Sequence, residues 1–229
     1  MSPQRVLVVD DEESLLTIIS YALESSGFEV QTATDAEKGA ELFETFEPSL
    51  MILDVMLPGQ SGLDLCRQVR QKSDIPIIML SAKSEEVDKI LGLELGADDY
   101  VTKPFSPREL VSRVRAQLRR QEGSLTHRAK VMEIRNLKID IESHQAFLRG
   151  EPLHLTNSEF QILQLLARNP GKAFSRSSIL NYLWDGGFVG DERTVDVHIH
   201  NLREKFEDDP QKPTYLLTVR GLGYRLSEK

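Results

Sequence analysis

Five times in its first 121 residues the chain repeats one pattern, a short apolar run followed by a stretch with apolar residues at helical spacing. The runs are Arg5–Asp10, Glu29–Ala33, Leu50–Asp54, Ile75–Ser81 and Tyr100–Lys103. The helical stretches are Glu13–Ser26, a segment capped by Asp35 with Ala36, Ala40 and Phe43 inward, then Leu63–Lys72, Glu85–Leu95 and Pro107–Arg120. Near-continuous hydrophobicity suits strands buried on both faces. Buried strands joined by helices form a parallel sheet with right-handed crossovers. An open sheet of this kind presents its ligands at the carboxyl ends of its strands.

The expected strand order is the flavodoxin-like 2-1-3-4-5. With it, Asp10, Asp11, Asp54, Ser81 and Lys103 all fall at strand ends and converge on one cleft. One strand-ending aspartate is commonly just a helix cap. Five polar residues on successive strand ends are a site. Three neighbouring carboxylates repel one another unless a hard cation sits among them, and Mg²⁺ suits carboxylates, water and phosphate oxygens together. Asp54 then reads as a nucleophile toward a phosphoryl group, with Lys103 as a point charge on the phosphate and Ser81 as a hydroxyl donor.

Residues 122–130 carry no hydrophobic period and include Gly123 and Ser124, the mark of a linker. The expected domains are therefore 1–121 and 131–229. Beyond the linker come the runs Val131–Leu137, Lys138–Ile141, Gln145–Leu148 and Pro152–Leu155, with a tight turn at Arg149-Gly150. The pattern then turns helical. Thr156-Asn-Ser-Glu159 is a capping box, Ser175 opens a second helix ending at Trp184, and Glu192–Phe206 buries Val195, Ile199, Leu202 and Phe206 on one stripe. Tyr215–Val219 and Tyr224–Leu226 flank a glycine-bearing turn. Three helices followed by a hairpin describe an α+β winged helix, whose third helix enters the DNA major groove.

The charge of −8 lies wholly in residues 1–121, which carry 13 Lys+Arg against 21 Asp+Glu; residues 122–229 carry 15 of each. The halves face different partners. No apolar stretch approaches the roughly 20 residues of a membrane span, and no secretory signal pattern opens the chain, so the sequence predicts a cytoplasmic protein without a membrane partner. The single cysteine, Cys66, shares a helical apolar set with Gly62 and Val69 and is expected in the core.

Asp10-Asp11, Leu53-Asp54-Val-Met-Leu-Pro58-Gly-x-x-Gly62, Ser81-Ala82 and Asp98-Asp99-Tyr100-x-x-Lys103-Pro104-Phe105 resemble the receiver domain of two-component response regulators over residues 1–121. The resemblance implies Asp54 as phosphoacceptor for a sensor histidine kinase, Asp10, Asp11, Asp54 and the Met56 carbonyl as Mg²⁺ ligands, and a cis Lys103–Pro104 bond. It implies Ser81 and Tyr100 as a switch pair. Leu155-Thr-x-x-Glu159-Phe, Arg193-Thr-Val-Asp-Val-His198-Ile and Val219-Arg220-Gly-x-Gly223-Tyr224-Arg resemble the OmpR/PhoB effector domain. That subfamily implies a homodimer on phosphorylation, built around Ile90 and Leu93, with Lys89 paired to Glu109, Asp99 to Arg113 and Asp98 to Arg120 across a two-fold axis. It further implies DNA contacts by Trp184, Arg193, Thr194, Val197, His198, Asn201, Arg203, Thr218, Arg220 and Tyr224, binding to direct repeats, and contact with RNA polymerase.

The effector departs from the family at His200-Asn201, where many members are basic, and its net charge is zero. Fewer phosphate neutralisations mean weak binding by a monomer and dependence on dimerisation. His198-x-His200 is no metal site, because helix positions two apart point about 200° from each other. An aspartyl-phosphate phosphotransferase would share the strand-end Asp and the metal. Met56 stands where such an enzyme has its acid–base aspartate, and no cap domain is present, so the chain is expected to have no turnover beyond slow self-dephosphorylation. A receiver that dimerises without phosphate is the other alternative.

Overall fold

The structure, a computed structural model, describes residues 3–82, 93, 95–121, 131–184 and 192–228. It divides into two compact units, Met1–Leu118 and Arg119–Lys229. The expected linker, residues 122–130, and most of the expected helix Glu85–Leu95 lie outside the described residues.

The first unit runs β1 (Arg5–Val9), α1 (Glu13–Glu24), β2 (Glu29–Ala33), α2 (Ala36–Phe46), β3 (Leu50–Asp54), α3 (Gly62–Arg70), β4 (Ile77–Ala82), β5 (Asp99–Lys103) and α4 (Pro107–Gln121). Its sheet is parallel with order β2-β1-β3-β4-β5. The central β3 is buried along its whole length, as its uninterrupted apolar run requires. Register sets Val9 opposite Leu53 and Ala82 opposite Lys103, which brings the polar residues that follow the apolar runs to one edge of the sheet. β4 starts at Ile77, two residues later than expected, since Pro76 has no N–H to give a ladder. α2 buries Ala36, Gly39 and Phe46, with Ala40 and Phe43 only half-buried. A Cβ at Gly39 would stand 3.0 Å from both Val9 and Leu65, so the small residue lets α2 approach the sheet. Cys66 is buried, and burial pushes its thiol up to about 11, leaving it a core residue rather than a reactive one.

The second unit opens with an antiparallel sheet in the order β6 (Val131–Ile134), β7 (Leu137–Asp140), β8 (Gln145–Leu148) and β9 (Glu151–Leu153). The run expected over Val131–Leu137 is broken by a turn in which Arg135 adopts φ 57°, so Leu137 belongs to β7. Arg149 (φ 55°) and Gly150 (φ 91°) make the two-residue hairpin turn, the left-handed pair that matches strand twist. Then follow α5 (Asn157–Ala167), β10 (Phe174–Ser175), α6 (Arg176–Trp184), α7 (Arg193–Phe206), β11 (Leu216–Val219) and β12 (Gly223–Leu226). The capping box at Thr156/Glu159 is formed by both of its bonds. β10, a two-residue strand too short to carry a hydrophobic period, pairs with β12 to make the sheet β10-β12-β11. A Cβ at Gly223 would lie 2.1 Å from the Phe174 carbonyl oxygen, so this pairing needs glycine there. Among the described residues no helix is long and apolar enough to cross a membrane.

Candidate functional site

β1 hands over Asp10 and Asp11, β3 ends in Asp54, and β5 ends in Lys103. Ligand oxygens of the three aspartates lie within 4.8 Å of one another. Asp10 and Asp54 are buried, whereas Asp11 is open to solvent. Lys103 Nζ donates to Oδ2 of Asp10 and to Oδ2 of Asp54, both at 2.6 Å. The Glu12 N–H donates to Asp10 Oδ1 at 3.0 Å and the Met56 N–H to Asp54 Oδ1 at 3.2 Å, which orients both carboxylates. Burial pushes the Asp54 carboxyl above the usual carboxylate range, with Lys103 pulling the other way. Burial also opposes the charge on Lys103, but its hydrogen bonds to Asp10 and Asp54 outweigh that and raise its pKa above the ordinary lysine value.

One lysine cannot neutralise three carboxylates. The donor set is oxygen throughout and one of its three carboxylates, Asp11, is open to solvent, which fits a hard divalent cation that keeps some of its water. Ser81 on β4 and Tyr100 on β5 are both buried, at 1% and 9% exposure. The Lys103–Pro104 bond is cis. The loop after Asp54 is closed by Gly62, whose N–H donates to the Val55 carbonyl. A Cβ on Gly62 would sit 1.8 Å from the Asp54 carbonyl oxygen, so glycine there is required by the approach of the loop to the strand end. The sequence places this glycine only in a helical apolar set and in the receiver motif, and local spacing does not announce its close approach to Asp54.

The charged face expected to pair across a dimer is differently organised. Asp98 is fully buried and accepts from Arg70 Nη2 at 2.6 Å and from the Ile77 N–H at 3.0 Å. It is therefore anchored within its own chain; the side chain of Arg120, its expected partner across the dimer, lies outside the described residues. Arg70 completes the anchor by donating to the carbonyls of Gly96, Ser73 and Ile75. Leu93, expected in an exposed apolar patch, is 2% exposed. Arg113 grips both oxygens of Asp99 at 3.0 and 2.9 Å and Glu109 at 2.7 Å within the same chain. Lys89 and Ile90 lie outside the described residues.

On the second unit, α7 presents Arg193 and His200 to solvent with Val197 and Asn201 half-exposed, and Thr218 and Arg220 are exposed on the wing. Other expected DNA contacts turn inward. His198 is 1% exposed because it falls on the same stripe as Val195 and Leu202; Trp184 is packed in the core, and Thr194 is buried at the first turn of α7. Tyr224 is buried with its hydroxyl donating to Asp196. Arg203 donates to the Leu216 carbonyl and to Thr218 Oγ1. Asp196, Arg176 and Glu207 were missed by the sequence reading. Their partners lie on other elements, and no local spacing announces them.

A parallel sheet with an acidic cluster and a lysine at its carboxyl edge, followed by a winged-helix unit, defines a response regulator with a DNA-binding effector. Residues 6–115 match the response regulator receiver domain and residues 150–226 the transcriptional regulatory protein C-terminal domain. The chain is 49% identical to the alkaline phosphatase synthesis transcriptional regulatory protein PhoP of Bacillus subtilis, over 98% of this chain and 97% of that one. It is 45% identical to the sensory transduction protein RegX3 of Mycolicibacterium smegmatis, over 96% of this chain and 98% of that one. The solved structure of DrrB, a Thermotoga maritima OmpR/PhoB homologue, is 35% identical and aligns with a TM-score of 0.52 over 98% of this chain and 99% of that one. The chain belongs to the OmpR/PhoB family of response regulators: it is a phosphorylation-controlled, DNA-binding regulator of transcription in a two-component system.

Proposed function

We propose that Asp54 takes a phosphoryl group from a phosphohistidine of a sensor kinase: the P–N bond breaks as the Asp54 Oδ–P bond forms. Asp10, Asp11, Asp54 and the Met56 carbonyl would hold Mg²⁺, which supplies positive charge to the phosphoryl oxygens when bound. Lys103 then leaves its bridge between Asp10 and Asp54 to pair with the phosphate, and Ser81 donates its hydroxyl to a phosphate oxygen. Tyr100 moves in concert with Ser81, carrying the change across β4 and β5.

The consequence is a homodimer through the face that bears Lys89, Ile90, Asp99, Glu109, Arg113 and Arg120, with Asp98 and Leu93 supporting it from within. Two effectors then occupy direct repeats in double-stranded DNA. Arg193, Val197, Asn201, Thr218 and Arg220 make up the contact surface, and RNA polymerase is the further partner. The observation that carries this reading is the group of three carboxylates within 4.8 Å, two of them bridged by Lys103. Sedimentation of the wild type and Asp54→Ala, with Mg²⁺ and with or without beryllofluoride as the phosphoryl stand-in, tests it. Wild type alone should shift from monomer to dimer. Dimers throughout in both proteins, or no shift in either, would remove Asp54 from control.

A further inference from the structure

α7 and its C-cap carry three polar side chains, Asp196, Arg203 and Glu207, that are committed to the wing and the strand leading into it. At its first turn, Asp196 Oδ1 accepts from the Tyr224 hydroxyl at 2.7 Å and from Arg176 Nε at 2.6 Å, and Arg176 Nη2 donates to the Tyr224 oxygen at 2.9 Å. The guanidinium also lies over the Tyr224 ring, 4.9 Å from its centroid. Further along, Arg203 donates to the Leu216 carbonyl at 3.0 and 2.8 Å and to Thr218 Oγ1 at 2.8 Å. At the end of α7, Glu207 accepts the N–H groups of Thr214, Tyr215 and Leu216 at 2.7, 2.9 and 2.7 Å.

β11 is an edge strand of a three-stranded sheet, and its outward-facing polar groups at Leu216 are taken up by Arg203 and Glu207. An edge hairpin of this size is only marginally stable by itself, so its position depends on what it is tied to. The ties at Arg203 and Glu207 hold the base of β11. The closed triangle of Arg176, Asp196 and Tyr224 joins β12, the first residue of α6 and the outer part of α7. Arg176 also neutralises a carboxylate that would otherwise face DNA phosphates from the recognition helix. The Tyr224 hydroxyl is held as a donor throughout the ordinary pH range, its pKa pushed up to about 12 by burial and by Asp196.

We infer that Asp196 is the positioning residue that sets the wing turn against α7, acting through the Tyr224 hydroxyl, so that Arg220 and the outward face of α7 meet DNA as one preorganised surface. This rests on the DNA-binding reading above. Rigidity in the bound geometry raises affinity by lowering the ordering cost of association. A wing freed from α7 would keep its fold yet lose the benefit of Arg220.

The test is a double-mutant cycle on the full chain, read by anisotropy on a labelled duplex recovered from a random-sequence pool by the wild type. Tyr224→Phe and Arg220→Ala should each weaken binding about tenfold, and the pair together still only about tenfold, because Arg220 contributes little once the wing is loose. Tyr224→Phe combined with Arg193→Ala should instead multiply to about a hundredfold. Asp196→Asn should show the same selective coupling to Arg220. Loss of folded protein would multiply with every second mutation alike. A purely multiplicative Tyr224/Arg220 pair, or unchanged binding by Tyr224→Phe and Asp196→Asn, overturns the inference. If wild type recovers no duplex, the DNA-binding reading itself fails and the inference falls with it.

Discussion

Replacing Arg70 with alanine separates two views of the charged segment around Asp98. Asp98 is 0% exposed and its partner Arg70 about as enclosed, with side-chain exposure of 10%. The substitution takes the guanidinium away from a buried carboxylate that also accepts from the Ile77 N–H and deprives the carbonyls of Gly96, Ser73 and Ile75 of their donor. Removing one member of a buried pair costs about 3–5 kcal/mol. Unfolding entropy near 2.1 cal/mol/K per residue over the 118 residues of the first unit makes each kcal/mol worth about 4 °C. The melting temperature of that unit should therefore fall by roughly 12–20 °C. Scanning calorimetry of the full chain reads it, and fluorescence of the single Trp184, which lies in the other unit, should not move. Pairing Arg70→Met with Asp98→Asn removes both charges and should recover at least half of the loss. A fall of less than about 3 °C for Arg70→Ala would mean that Asp98 is solvated, and would return it to the role of an intersubunit partner.

Gly62→Ala forces a Cβ to 1.8 Å from the Asp54 carbonyl oxygen; overpacking of this kind costs about 1–3 kcal/mol, and because the displaced backbone is that of Asp54, the proposed phosphoacceptor, phosphorylation should slow as well, so an unchanged melting temperature and rate would refute the close approach. His144 stacks on Phe160 with ring centroids 3.8 Å apart, and burial holds its pKa below the ordinary 6.5 despite a hydrogen bond with Asn157. Above the ordinary value both states are neutral; as pH falls through it the unfolded chain gains a proton that the folded chain refuses, so the second unit should lose stability at up to about 1.4 kcal/mol per pH unit. Urea melts followed by Trp184 fluorescence at pH 7 and 5.5 measure this, and a His144→Asn variant that loses the same amount would assign the effect elsewhere.

The convergence of polar groups at the sheet edge was legible because each of its residues terminates an apolar run. The period of hydrophobicity locates the strands, the strands locate their carboxyl ends, and Asp10, Asp54, Ser81 and Lys103 follow without knowledge of any contact. The capping box at Thr156 was legible for a similar reason, its two partners being three residues apart. β10 was not: two residues carry no period, and the strand exists because β12 and Gly223 offer it a ladder.

Helical spacing also told which faces of α7 turn inward; the family resemblance placed His198 with the DNA contacts, although the residue sits on the buried stripe. Charge was the poorest guide. Asp98, Asp99, Arg113 and Arg203 look alike as exposed ions in a sequence, and three of them are buried. Asp98 finds Arg70 28 positions away, and Arg203 finds the Leu216 carbonyl 13 positions away. The sequence by itself determined the order of strands, the acidic edge and the recognition helix, because these follow from local period and from where each run stops. Only the tertiary structure decided which charges face the interior, because a long polar side chain gains its partner from whatever element packs opposite it, and local spacing carries no record of that element.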